Sequence, residues 1–542
     1  MTQASEPVLT KEKSPLPLEP EQILEDYKIA YHSRQVSVIG RREVLSGKAK
    51  FGIFGAGKES AQLAMARAFR HGDWRSGYYR DQTLMFALGL VRVEEFFAQL
   101  YAHADLKHEP LTGGRAMNAH FLTPSLNPDG SWRTLINQYN SSADVSPTGS
   151  QMPRLVGLGY ASRLYRELEA LQEMRQFSRR GDEIAWGTIG NASCAEGMFW
   201  ESVNAIGVLG APVVLSIYDD GYGISVTNKY QITKEDLSAV LAGFARNETS
   251  GGFNVYRVPG WDYPRLVAVY AEAAAQAREH HIPAIIHVIE VTQPQGHSTS
   301  GSHERYKSAE RLQFEEDKDC LRWLRQWILD NAFATDDELN ELENEWRLDV
   351  ERLRAQAWED YQEPIREELE DLADIVEEIA PATVHGPELL SLKNRLLRIQ
   401  NPIRKDIMVG IRDALLLLRH ETAPSKQVLI KWKDNQERIN RQRYSSLLYA
   451  GGERSALNVP IVPAEYSDES PMVRGFEILN ACFDHILARD PRVIAFGEDV
   501  GQLGGVNQSF AGLQAKYGEL RVADTGIRET TIIGQAIGLA MR

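Results

Sequence analysis

Two short apolar runs in the first half of the chain each stop abruptly at polar residues. Residues 183–189 (EIAWGTI) run into Gly190-Asn191-Ala192, and residues 211–218 (APVVLSIY) run into Asp219-Asp220. Between them, residues 195–210 carry apolar positions at helical spacing. That order predicts strand, helix, strand, with polar side chains at the C-terminal tip of each strand. A third apolar run, residues 284–291 (AIIHVIEV), predicts another buried strand. From residue 21 to 303 helices and apolar runs alternate, which predicts an α/β domain with a doubly wound parallel sheet covered on both faces.

The patterning then changes. Residues 293–303 (QPQGHSTSGSH) predict a polar loop, and residues 304–380 a charged helical extension. In that extension Trp323, Leu324, Trp327 and Ile328 form a stripe suited to helix packing. Residues 381–470 read as a partly helical connector ending near Pro460 and Pro463. A new α/β unit is expected over 471–542: a helix at 473–489, a strand at 493–496, the loop Gly497-Glu498-Asp499-Val500, and a helix at 532–541. Its length predicts only the first part of a domain, since a self-standing core of this kind takes roughly 100 residues or more. Residues 1–20, with Ser14-Pro15-Leu16-Pro17, read as a flexible arm.

A chain of 542 residues has room for about three domains. Its net charge of −15 argues against a general nucleic-acid or anionic-membrane surface. No apolar run approaches the ~18 residues that span a bilayer. Cys194, Cys320 and Cys482 lie far apart without metal-ligand spacing, which suits a reducing cytoplasm. Cys194 reads as a small core residue.

The strand tips carry the candidate chemistry. Ligands of doubly wound sheets bind in the crevice beyond the C-terminal strand ends. There Asn191 and Asp220 offer an amide oxygen and a carboxylate, a pair that can hold Mg²⁺ against a diphosphate. Ser193 and Glu196 fit a capping box at the start of a helix after Asn191, and the free N–H groups of that helix start, at Ala192 and Ser193, would point at the anion. Arg80, after Tyr79, could grip a diphosphate with two hydrogen bonds. The turn-rich stretch Ser146-Pro147-Thr148-Gly149-Ser150-Gln151 can offer backbone groups to a heterocycle, and His297 sits in the polar loop after the third strand.

The arrangement resembles the thiamine diphosphate motif, Gly-Asp-Gly followed after a helix-sized spacer by Asn-Asn. The departures are reciprocal: Asn191 stands where the family has Asp, and Asp220 where it has Asn, so the charge facing the metal is kept. With Tyr79-Arg80, the Gly149-x-Gln151-x-Pro153 turn and His297-Ser298 in the same order, residues 25–375 resemble the α subunit of the decarboxylating first component of 2-oxo acid dehydrogenase complexes. The resemblance implies that Tyr79, Arg80 and His297 contact the diphosphate. It implies that Ser146 and Thr148 lie beside the aminopyrimidine, and that Asn191, Asp220 and the Tyr222 carbonyl bind Mg²⁺.

Residues 472–542 resemble the β subunit of the same enzyme through Phe496-Gly497-Glu498-Asp499-Val500-Gly501, Arg521-Val522-Ala523-Asp524-Thr525 and Ile527-Arg528-Glu529. Gly526 replaces the usual proline. The resemblance implies a fused enzyme in which Glu529, in an apolar pocket, protonates the aminopyrimidine. It further implies a 2-oxo acid substrate, transfer of the acyl unit to a lipoyl-bearing acyltransferase, and a cofactor at an interface between subunits of at least a dimer. Two other readings stay open: another thiamine-dependent class, acetoin-cleaving or transketolase-like, and a degenerate cofactor-binding chain.

Overall fold

The computed structural model describes residues 18–299, 302–422, 424–446, 448, 451–453 and 455–542. Most of the segment expected as an arm, residues 1–17, lies outside the described residues, as do Ser300 and Gly301 of the polar loop. Pro20, by contrast, already opens a helix, α1 (Pro20–Leu45), where its fixed φ and missing N–H do no harm.

Six strands form the central sheet: β1 (Trp74–Ser76), β2 (Asn140–Ser141), β3 (Ala185–Gly190), β4 (Val213–Tyr218), β7 (Asn254–Pro259) and β8 (Ala284–Ile289). Two further pairs, β5 (Tyr222–Gly223) with β6 (Val226–Thr227) and β9 (Ala495–Gly497) with β10 (Val522–Asp524), form small ribbons. The central order is β2-β1-β3-β4-β8-β7, and every pairing in it is parallel. Parallel strands buried on both faces need no alternation of polar residues, which is why β3, β4 and β8 read as continuous apolar runs.

Alternate side chains supply the two layers. Trp186, Val214 and Ile286 pack under α1, α2 (Glu59–Ala68), α5 (Tyr263–His280) and α6 (Cys320–Asp330). Ala185, Leu215 and Ile285 pack under α3 (Gln151–Glu167) and α4 (Gly197–Leu209). Helix α4 stops at Gly210, whose φ of 55° lies in the left-handed region that glycine tolerates. The stripe in the helical extension divides: Leu324 and Ile328 are buried, while Trp323 is exposed and stacks near Trp261.

A 44-residue helix, α7 (Asp336–Ile379), leaves this domain from a capping box at Thr335 and Glu338. Its far half buries Ile365, Leu369, Leu372 and Val376 at 3- and 4-residue spacing. Against that face pack α8 (Gly386–Leu397), α9 (Arg404–Leu417) and α10 (Pro424–Ser445). The stretch expected as a partly helical connector therefore holds a helical bundle with its own core. The last unit contains α11 (Gly475–Arg489), β9, β10 and α12 (Glu529–Ala540). Among the described residues no helix is long and apolar enough to cross a membrane.

Candidate active site

The register of the sheet brings the polar tips together. Gly190 of β3 lies opposite Tyr218 of β4, and Ser76 of β1 opposite Gly187. Asn191, Asp219-Asp220 and the segment from Gly77 to Asp81 therefore leave the sheet at one edge. The chain after β8 joins them, because Tyr218 pairs with Val288.

Of the two aspartates, Asp219 is committed to the scaffold. Its carboxylate accepts from His287 Nε2 at 2.9 Å, from Asn228 Nδ2 at 3.1 Å and from the Gly221 N–H at 2.8 Å. Asp220 faces the crevice. Its Oδ1 accepts the Tyr222 N–H at 3.1 Å, and its Oδ2 lies 3.0 Å from His297 Nε2. Burial alone would raise the Asp220 carboxyl. The charge and hydrogen bond of His297, the Lys58 ammonium and the Tyr222 N–H outweigh that effect and hold it well below the usual carboxylate range.

Asn191 is buried, and its amide nitrogen donates to Asn228 Oδ1 at 2.8 Å and to the Tyr222 carbonyl at 3.5 Å. Its Oδ1 remains for a ligand. Asn191, Asp220 and the Tyr222 carbonyl thus converge on one turn, and all three offer oxygen, the donor set that Mg²⁺ prefers. Among the described residues no three His, Cys, Asp or Glu side chains cluster as metal ligands. His297 Nδ1, Tyr78 OH and Gln293 Nε2 are buried without a hydrogen-bond partner in the protein, which suits a polar ligand in the crevice.

The helix start after β3 differs from the expectation. Ser193 and Glu196 make no capping box. A 3-10 turn, Asn191–Ala195, intervenes, and α4 begins after Glu196 with no side-chain cap. The first N–H groups after β3 therefore belong to this turn, which contains Ala192 and the nearly buried Ser193. Arg80 donates to the Phe54 carbonyl and the His297 carbonyl, both at 2.7 Å, and so ties two crevice walls together. Tyr79 lies beside it and stacks on His120 at 6.0 Å between ring centroids. Ser146 and Thr148 are exposed, and Ser146 Oγ lies 2.9 Å from His120 Nε2. Cys194 is buried in the core as expected.

Glu529 is exposed rather than pocketed. Its helix nevertheless docks on the same chain. A Cβ on Gly534 would lie within 2.6 Å of the Pro153 carbonyl carbon, and one on Gly538 within 2.6 Å of Leu158 N. Arg542 Nη1 donates to the Leu158 carbonyl at 2.8 Å and to Ser162 Oγ at 2.6 Å. Helices α12 and α3 therefore run parallel in close contact. Thr531 Oγ1 adds a bond to Glu201 of α4 at 2.7 Å.

Lys58, His120 and Asn228 are additions that the sequence reading missed. Lys58 Nζ donates to Gln293 Oε1 at 2.6 Å and is almost wholly buried. Burial lowers its ammonium to about 8, against the pull of Asp220 and with a further push from Arg80. Its signal was slight, a lysine after Gly55-Ala56-Gly57 at the start of α2.

Two family models match the chain. The profile of the dehydrogenase E1 component matches residues 30–366. That of the transketolase pyrimidine binding domain matches residues 473–542. The 2-oxoisovalerate dehydrogenase subunit alpha of Bacillus subtilis (strain 168) is 26% identical over 293 residues, 54% of this chain and 77% of that protein. The mitochondrial 2-oxoisovalerate dehydrogenase subunit alpha 1 of Arabidopsis thaliana is 24% identical over 334 residues, 61% of each chain. The pyruvate dehydrogenase E1 component subunit beta of Leifsonia xyli subsp. xyli (strain CTCB07) is 51% identical over 72 residues, 13% of this chain and 20% of that subunit. The chain thus spans about a fifth of the β subunit it matches.

Proposed function

The chain belongs to the dehydrogenase E1 component family, and on that premise we propose that it binds thiamine diphosphate with Mg²⁺ and decarboxylates a 2-oxo acid. The observation that carries this reading is the meeting of Asn191, Asp220 and the Tyr222 carbonyl at adjacent strand tips, beside His297 and within the field of Lys58. Bound there, the cofactor would supply the electron sink that lets CO₂ leave.

The protein's own part is binding and orientation. Asn191, Asp220 and Tyr222 would hold the metal, while Lys58, Arg80, His297 and the N–H groups of the turn with Ala192 and Ser193 would face the diphosphate. Tyr79, Ser146 and Thr148 would line the heterocycle. Glu529, in the first turn of α12, would hold a proton at the aminopyrimidine ring nitrogen. The relatives' names point to pyruvate or a branched-chain 2-oxo acid as substrate. Transfer of the acyl unit to a lipoyl group on a partner acyltransferase, a homodimeric or larger assembly, and a cytoplasmic location complete the reading.

The test is decarboxylation of pyruvate and of branched-chain 2-oxo acids by the purified chain, followed with an artificial electron acceptor. The reading expects turnover that requires both thiamine diphosphate and Mg²⁺. Cofactor binding without Mg²⁺ dependence would remove the metal assignment, and no cofactor binding at all would remove the reading.

A further inference from the structure

Residues 367–472 lie outside both family matches, yet the bundle they form is tied by Arg115 to a loop that leads to the site. Arg115 stands in the loop 102–120. Its Nη2 donates to the Arg443 carbonyl at 2.7 Å and to Ser446 Oγ at 2.9 Å, at the carboxyl end of α10. The last carbonyls of a helix lack intrahelical partners and carry the negative end of its dipole, so a guanidinium is a well-matched cap. Its Nη1 returns to the loop, to the Thr112 carbonyl at 3.2 Å.

The helix end that Arg115 grips is itself anchored. Glu368 of α7 accepts from Arg443 Nη2 at 2.7 Å and from Arg404 Nε of α9 at 3.1 Å. Within the loop the buried Glu109 carboxylate gathers the N–H groups of Leu111, Thr112 and Gly114 at 3.0, 2.9 and 2.9 Å. The same loop ends at His120, whose Nδ1 lies 3.1 Å from the Asn118 carbonyl. A carbonyl can only accept, so Nδ1 carries a proton there, while Nε2 lies 2.9 Å from Ser146 Oγ and the ring stacks on Tyr79.

We propose that the helical insert positions the cofactor site: Arg115, seated on the end of α10, holds the 102–120 loop so that His120 braces Tyr79 and Ser146. Arg115 touches no reacting group and is a positioning residue. The inference rests on the reading that Tyr79 and Ser146 line the thiamine diphosphate site.

The experiment compares thiamine diphosphate affinity in Mg²⁺ buffer for the full chain and for Arg115→Ala and Arg115→Lys. Arg115→Ala is expected to weaken binding about tenfold, the factor of one charge-assisted hydrogen bond, with the thermal midpoint held within ~2 °C. Chymotrypsin should then cut after Leu106 and Met117, both already exposed, faster than in the unaltered chain. Arg115→Lys keeps a cation on the helix end and should recover most of the affinity. If Arg115→Ala does not fold, Glu368→Gln, which loosens α10 away from the site, should weaken binding in the same direction. An unaltered chain that binds while Arg115→Ala binds equally well overturns this inference alone. An unaltered chain that does not bind overturns the functional reading beneath it.

Discussion

Replacing Lys58 with Met removes a buried charge and keeps the length of the side chain. The ammonium is almost wholly out of water, and its hydrogen bond goes to the neutral amide of Gln293. Burial lowers it from 10.5 to about 8. At about 1.4 kcal/mol per pH unit, that gap costs the native state about 3 kcal/mol wherever both folded and unfolded chains carry the proton. The sign follows from proton counting. Between about pH 8 and 10.5 the unfolded chain binds more protons at this site than the native one, so the native state recovers stability as pH rises. Lys58→Met should therefore be more stable than the unaltered chain at pH 7, by up to about 3 kcal/mol or about 5 °C in midpoint. The advantage should shrink toward pH 10. Differential scanning calorimetry in Mg²⁺-free buffer at pH 7, 8, 9 and 10 reads this directly. The same variant should bind thiamine diphosphate more weakly, because the buried charge it removes is the one that would face the anion. Equal midpoints at pH 7, or a gap that widens with pH, would refute the reasoning.

Two further changes probe how the parts are joined. Asp73 receives Arg278 at 2.9 and 2.8 Å and Trp186 Nε1 at 3.0 Å, all buried; Asp73→Ala strands that guanidinium and should cost about 3–5 kcal/mol in urea unfolding, whereas a loss under 1 kcal/mol would show the network to be dispensable. Gly534→Val drives a side chain into Pro153, which overpacks the α12–α3 contact by about 1–3 kcal/mol; hydrogen exchange should rise along α12, cofactor affinity should fall, and unchanged exchange would deny the close crossing.

The sequence discloses what is continuous and hides what is assembled from distant residues. Strands β3, β4 and β8 are buried on both sides and so announce themselves as apolar runs. Strands β1 and β2, Trp-Arg-Ser and Asn-Ser, are short and partly polar because Arg75 and Asn140 find buried partners there; no run marks them. The capping box at Ser193 and Glu196 was a sound local pattern. It loses to the tight turn that carries the chain from β3 toward Tyr222. Asn191, Asp220, Tyr222 and His297 were legible because each follows a strand. Lys58 and His120 were not, since a single polar residue gives no sign of which distant loop it will meet. The bundle at 386–445 is partly visible in the spacing of Leu389, Leu392 and Leu396, but nothing in the sequence marks Arg115 as a tie between it and the 102–120 loop.

The central claim is that a magnesium ion and a diphosphate share the turn holding Asn191, Asp220 and Tyr222. Isothermal titration of thiamine diphosphate, with and without Mg²⁺, into the unaltered chain and Asp220→Ala tests it most directly. The account predicts binding that depends on Mg²⁺ in the unaltered chain and is lost in Asp220→Ala. Undiminished, Mg²⁺-dependent binding by Asp220→Ala would contradict it.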